Sequence, residues 1–180
     1  MSILTDSPSA IQNILYHYGQ GLAKEAGDTT PSYSLSGMLY VSKTGWGLVT
    51  VPNALVRGVF SALDETGIEL PLHDGQLEAH ITVFSKEDID ALGGPDKITE
   101  RGKRFHYRLG GLNTVDPEGW PEMSKAWLLR IHSPELQALR RSYGLSSLPK
   151  DGKHDFHVTV AVRRRGVLGR NEKSKLPDSE

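Results

Sequence analysis

The feature that most constrains this chain is a unit that occurs twice. In residues 46–51 a strand-like apolar run leads to Pro52, which suits the first turn of a helix. Leu55, Val56, Val59, Phe60 and Leu63 then recur at helical spacing, and Gly67 stops the pattern. A polar loop follows, and residues 77–84 form a second strand-like run. Residues 125–162 repeat the order: a strand over 125–131, a helix capped by Ser133 and opened by Pro134, a stop at Gly144, a loop, and a strand over 155–162. Such duplication implies two similar lobes with a groove between them. The predicted class is α+β, built from duplicated strand–helix–strand units around that groove.

The rest of the chain fits around these units. Residues 7–26 read as an N-terminal helix, with Ser7 and Pro8 at its start and Ile11, Ile14, Leu15, Tyr18 and Leu22 on one face. Residues 38–41 and 46–51 read as a hairpin, residues 86–92 as a short helix and residues 105–112 as a strand. The lobes would span about 38–92 and 105–162, with a polar, fraying tail over 166–180. At 180 residues a single domain is expected.

Composition removes several function classes. There is no cysteine, so there is no disulfide scaffold, thiolate metal site or thiol nucleophile. The formal net charge of −1 argues against wholesale coating of nucleic acid. No apolar run approaches the roughly 20 residues of a membrane span, and the N-terminus lacks the order of a signal peptide. A cytoplasmic protein with no membrane partner is expected.

The closing runs of the two units share more than shape. One reads Glu78-Ala79-His80-Ile81-Thr82-Val83, the other Asp155-Phe156-His157-Val158-Thr159-Val160. In a strand, residues two apart share a face, so each His projects with its Thr while the apolar residues pack on the core. With 7 His and 10 Thr in the chain, roughly 0.4 His-x-Thr triplets are expected by chance. Two at the same point of a repeated unit are a specific signal.

Imidazole titrates near neutrality, so a pair can supply a general base and a general acid together. Phosphodiester cleavage needs both, on opposite sides of phosphorus, because displacement is in line. The hydroxyls of Thr82 and Thr159 can donate to non-bridging phosphate oxygens, where charge develops. The arrangement requires no metal and no cofactor. Glu78 and Asp155 are candidates for orienting the two rings.

His80-Ile81-Thr82-Val83 and His157-Val158-Thr159-Val160 match the motif pair of the 2H phosphoesterase superfamily, which the chain resembles over residues 38–162. The resemblance implies a bilobal, pseudo-two-fold α+β fold with antiparallel sheets, a metal-independent site between lobes, and substrates among cyclic nucleotides, 2′,5′-linked oligonucleotides and RNA ends carrying 2′,3′-cyclic phosphates. Residues 93–103 and 163–168 resemble a phage-associated, RNA-repair-like branch. A related phage group degrades the cyclic oligonucleotides of bacterial antiviral signalling (CBASS). The implied partner is a small cyclic nucleotide or oligonucleotide, with RNA end healing as one alternative and non-catalytic nucleotide sequestration as another.

Several further residues are candidates for substrate contact. Arg163 and Arg165 follow the second motif and could clamp phosphate. Lys125 could reach phosphate from a neighbouring strand. Trp120, in a loop containing Pro and Gly, and Tyr40 could stack on a base. His154, three residues before His157, is expected on the other face of that strand, which disfavours joint metal ligation.

Overall fold

A computed structural model of the protein describes residues 34–117 and 119–166. The expected N-terminal helix over 7–26 and nearly all of the 166–180 tail lie outside these residues.

Alternating apolar and polar residues dictate the strands, and proline, serine and glycine set the breaks. β1 (Ser34–Val41) turns at Gly45, whose φ of 86° suits glycine, into β2 (Gly47–Thr50). Pro52 precedes α1 (Asn53–Ser61), which buries Leu55, Val56 and Val59. After a small hairpin, β3 (Leu72–His73) and β4 (Gln76–Leu77), comes the first motif strand, β5 (His80–Phe84). Ser85 and Asp88 form a reciprocal capping box on α2 (Lys86–Ala91). A 3-10 turn at Pro95–Lys97 leads into β6 (Arg104–Val115), then β7 (Met123–His132). Ser133 Oγ accepts from Leu136 N to cap α3 (Pro134–Ser142), and β8 (His157–Arg164) carries the second motif.

Six strands form one antiparallel sheet in the order β5-β2-β1-β6-β7-β8. The units β2–α1–β5 and β7–α3–β8 therefore occupy its two ends. The sequence suggests a sheet for each unit, but β1 joins them. Ser34–Met38 ladders with β6, and Leu39–Val41 ladders with β2. Gly37 sits at this joint, where a Cβ would lie 2.0 Å from the Thr50 carbonyl oxygen.

The core lies on one face of the sheet. Leu39, Val49, Ile81, Val83, Leu129, Val158 and Val160 are wholly buried there with Leu55, Val59 and Leu136 of the helices. Burying one such side chain is worth roughly 1.5–3 kcal/mol. Each helix packs on the other unit's motif strand, α1 against β8 and α3 against β5. The outermost strands β5 and β8 thereby approach each other although no ladder joins them.

Candidate active site

The strand pleat positions the motif residues as the alternation demands. In β5, Ile81 and Val83 are wholly buried while His80 and Thr82 are half-buried on the opposite face. His80 lies opposite Thr50 in the ladder, Thr82 opposite Leu48, and Leu48 in turn opposite Tyr40. In β8, Val158 and Val160 are buried while His157 and Thr159 are half-buried, opposite Arg130 and Leu128. The residue before each His is tied in the same way: Val51 N donates to Ala79 O (3.0 Å), and Ile131 N to Phe156 O (2.8 Å).

Both imidazoles are held by the same contact. His80 Nδ1 lies 2.6 Å from the Glu78 carbonyl oxygen, and His157 Nδ1 lies 2.9 Å from that of Asp155. A carbonyl oxygen only accepts, so each Nδ1 carries the hydrogen, and Nε2 is the nitrogen left to exchange a proton. The tautomer is thus assigned from the hydrogen-bond partner. Backbone oxygens, rather than the candidate Glu78 and Asp155 carboxylates, bond the two Nδ1 atoms, although the Asp155 charge does raise the His157 pKa. The Asp155 carboxylate instead pairs with Arg130 at 3.0 Å.

Burial is the main cause that lowers the His157 pKa below the usual 6.5. The bond to the Asp155 carbonyl raises it part of the way back, and the charges of His154 and His80 lower it further. The charge of the other motif imidazole is thus felt at His157. A cavity of about 220 Å³ opens beside His157, with Arg130, Leu128, Asn113, Lys153 and His154 in its wall. His80 stands outside that wall.

The family model described as the Swiss Army Knife 2H phosphoesterase domain (2H-SAK) matches residues 51–168, well over half of the chain and both motifs. The chain belongs to the 2H phosphoesterase family. This is a family of hydrolases acting on phosphoester bonds, and the protein is an enzyme of that class. Comparison with curated proteins and with solved structures returned no match.

The 2H motif strands gather some of the other candidates and leave others aside. Tyr40 shares the open face with Thr82, and burial followed by the Glu78 charge raises its pKa. Trp120 is exposed in the β6–β7 loop and forms no part of the cavity wall. Lys125 and Arg163 are opposite each other in the ladder, and both cations sit over the Trp127 ring, at 4.9 and 5.2 Å. Trp127 is buried, and its neighbour Leu128 lines the cavity, so this stack occupies the other face of β7. Arg163 also pairs with Glu65 (2.7 Å) and donates to Thr66 O (2.9 Å). Arg165 donates to Met123 O (2.9 Å) and pairs with Asp116 (3.2 Å). Acidic residues of neighbouring segments thus engage both arginines.

His154 is a correction. The strand begins only at His157, so His154 lies in the preceding loop and lines the same cavity as His157. Among the described residues, no three His, Cys, Asp or Glu side chains converge to hold a metal ion. No helix among them is long and apolar enough to cross a membrane.

Three residues of the 2H site escape a sequence reading. Asn53 donates to Leu77 O (2.6 Å) and accepts from Ala79 N (2.9 Å), fixing the approach to His80. Arg140 of α3 is 1% exposed and donates to the Val83 carbonyl of β5, to Asp88 and to Ser146 O. Arg130 stands beside His157 in the ladder. Its polar place between Leu129 and Ile131 is legible in the sequence; its partner strand is not.

Proposed function

We propose that the protein is a metal-independent phosphodiesterase acting on cyclic nucleotides or cyclic oligonucleotides, with His80 and His157 as the acid–base pair. The observation that carries this reading is the matched tethering of both Nδ1 atoms to backbone carbonyls, which leaves two Nε2 atoms for proton transfer. Burial favours the neutral form of His157, which suits a general base. His80 is then the acid that protonates the leaving oxygen. Thr82 and Thr159, each sharing a face with its His, hold non-bridging oxygens as charge builds on them. We read the units around β5 and β8 as the two lobes of one duplicated domain, and the face carrying both motifs as its groove.

The reaction moves one proton at each end. His157 Nε2 takes the proton of the attacking water, the new P–O bond forms as the opposite ester bond breaks, and the leaving oxygen receives a proton from His80. The resemblance of residues 93–103 and 163–168 is to a phage-associated, RNA-repair-like branch, and the degradation of bacterial antiviral signals by a related phage group is what extends the reading to cyclic oligonucleotides.

Turnover assays with cyclic mono-, di- and trinucleotides, and with RNA ending in a 2′,3′-cyclic phosphate, test the reading. His80→Ala and His157→Ala should each lower kcat by about 10²–10⁴-fold. Retained turnover in either variant sinks the acid–base assignment. Cleavage of the RNA end alone would move the substrate to RNA repair, and tight binding without product would make the protein a sequestering binder.

A further inference from the structure

The cavity beside His157 has a wall that the acid–base reading leaves unused. Arg130 faces it, fixed between two partners. Its Nε lies 3.0 Å from Asp155 Oδ2, but too far off line for a hydrogen bond, so this buried N–H lacks a well-aligned acceptor. With the Asn113 amide flipped, the assignment that satisfies both of its ends, Asn113 accepts from Arg130 Nη2 at 3.1 Å and donates to Leu112 O at 3.2 Å. Asn113 therefore acts as a brace for the guanidinium. The remaining N–H groups of Arg130 stay available to an anion.

The backbone is shaped for this placement. The β6–β7 register shifts between Leu109 and Leu112, so Gly110 and Gly111 face Arg130 across the ladder. A Cβ on Gly110 would lie 3.2 Å from both Cβ and the carbonyl oxygen of Arg130. Bulges of this kind re-aim side chains beside sites. Lys153, from the loop before β8, reaches the same cavity and makes no side-chain ion pair among the described residues. His154 shares this wall, and Asp155 pairs with Arg130 rather than with Lys153.

We propose that this cavity is a second phosphate subsite, filled by the phosphate next to the scissile one. The proposal rests on the phosphodiesterase reading and narrows its substrate class to diesters with at least two phosphates, such as oligonucleotides. The cavity, about 220 Å³, is smaller than a pocket for a whole drug-sized ligand, which suits one phosphoryl group with part of its sugar. Arg130 grips it through its fork, Lys153 through a point charge.

The test separates binding from turnover. Titration calorimetry with adenosine 3′,5′-bisphosphate and adenosine 3′-monophosphate should show the bisphosphate preferred by roughly 10-fold or more, as a charge-assisted contact provides. Arg130→Gln and Lys153→Gln should each erase most of that preference, and Arg130→Lys should keep part of it. Lys153 is exposed, so its variant folds even if Arg130→Gln does not. The same variants should raise KM for a dinucleotide ending in a cyclic phosphate more than for a nucleoside cyclic monophosphate. Equal affinity for the two probes in the wild type, or a preference unchanged in Lys153→Gln and Arg130→Lys, overturns the subsite. Bisphosphate preference lost in the variants without turnover of any diester in the wild type leaves the subsite standing and removes the phosphodiesterase reading.

Discussion

Arg140→Ala is the substitution whose cost is best defined by its surroundings. The guanidinium is 1% exposed and feeds three acceptors. One is the Ser146 carbonyl (2.8 Å), one is Asp88 Oδ2 (2.8 Å), and one is the carbonyl of Val83, a wholly buried residue of the His80 strand. Truncation strands all three and leaves the Asp88 carboxylate, itself mostly covered, without its cation. Breaking a buried ion pair from one side costs about 3–5 kcal/mol. At the usual 2–4 °C per kcal/mol for a chain of this size, the melting temperature should fall by roughly 6–20 °C. Differential scanning calorimetry of the whole chain measures it. Arg140→Met combined with Asp88→Asn should recover at least half of the loss. It removes the charge, while the asparagine oxygen can still accept from Ser85 N, which Asp88 now does at 3.0 Å. A single variant melting within about 2 °C of wild type would refute the reasoning. So would a double variant no more stable than Arg140→Ala.

Four further outcomes follow from other contacts in the structure. If His157 is the base, as proposed, its lowered pKa places the acid limb of kcat/KM below pH 6.5, and that limb should vanish in His157→Ala. The linked stability has the same sign: the unfolded state binds the proton first, so stability falls with pH from 6.5 down through the folded pKa, readable by melting at fixed ionic strength. Asn53→Ala leaves Leu77 O and Ala79 N without their partner, costing about 1–3 kcal/mol, and should lower kcat more than it changes KM, since His80 alone loses its footing. Tyr107 is a buried phenol whose hydroxyl finds no partner among the described residues, so Tyr107→Phe should raise the melting temperature; a fall of several degrees would show an unrecognised partner.

Much of the site was legible because it obeys local rules. Proline and serine set helix starts, as at Pro52, Ser133 and Pro134, and the predicted helix over 86–92 is α2 (Lys86–Ala91). Period-two alternation put His80 with Thr82 and His157 with Thr159 on one face, away from Ile81, Val83, Val158 and Val160. Where the alternation breaks, the reading broke with it. The expected strand over 155–162 begins instead at His157, so His154 joined the cavity rather than the far face. The expected strand over 77–84 divides into β4 and β5, with Asn53 filling the gap.

The amino-acid order by itself determined the two His-x-Thr pairs and which face of each strand carries them, because pleat and helical repeat are properties of neighbours along the chain. Tertiary structure alone decided that β5 and β8, at the two ends of one sheet, face each other. It alone set Arg130 beside His157, and turned Lys125 and Arg163 toward Trp127 and Glu65. These facts depend on ladder register and on which charges meet across tens of residues. Such pairings are set by packing of the whole core, and no local pattern encodes them.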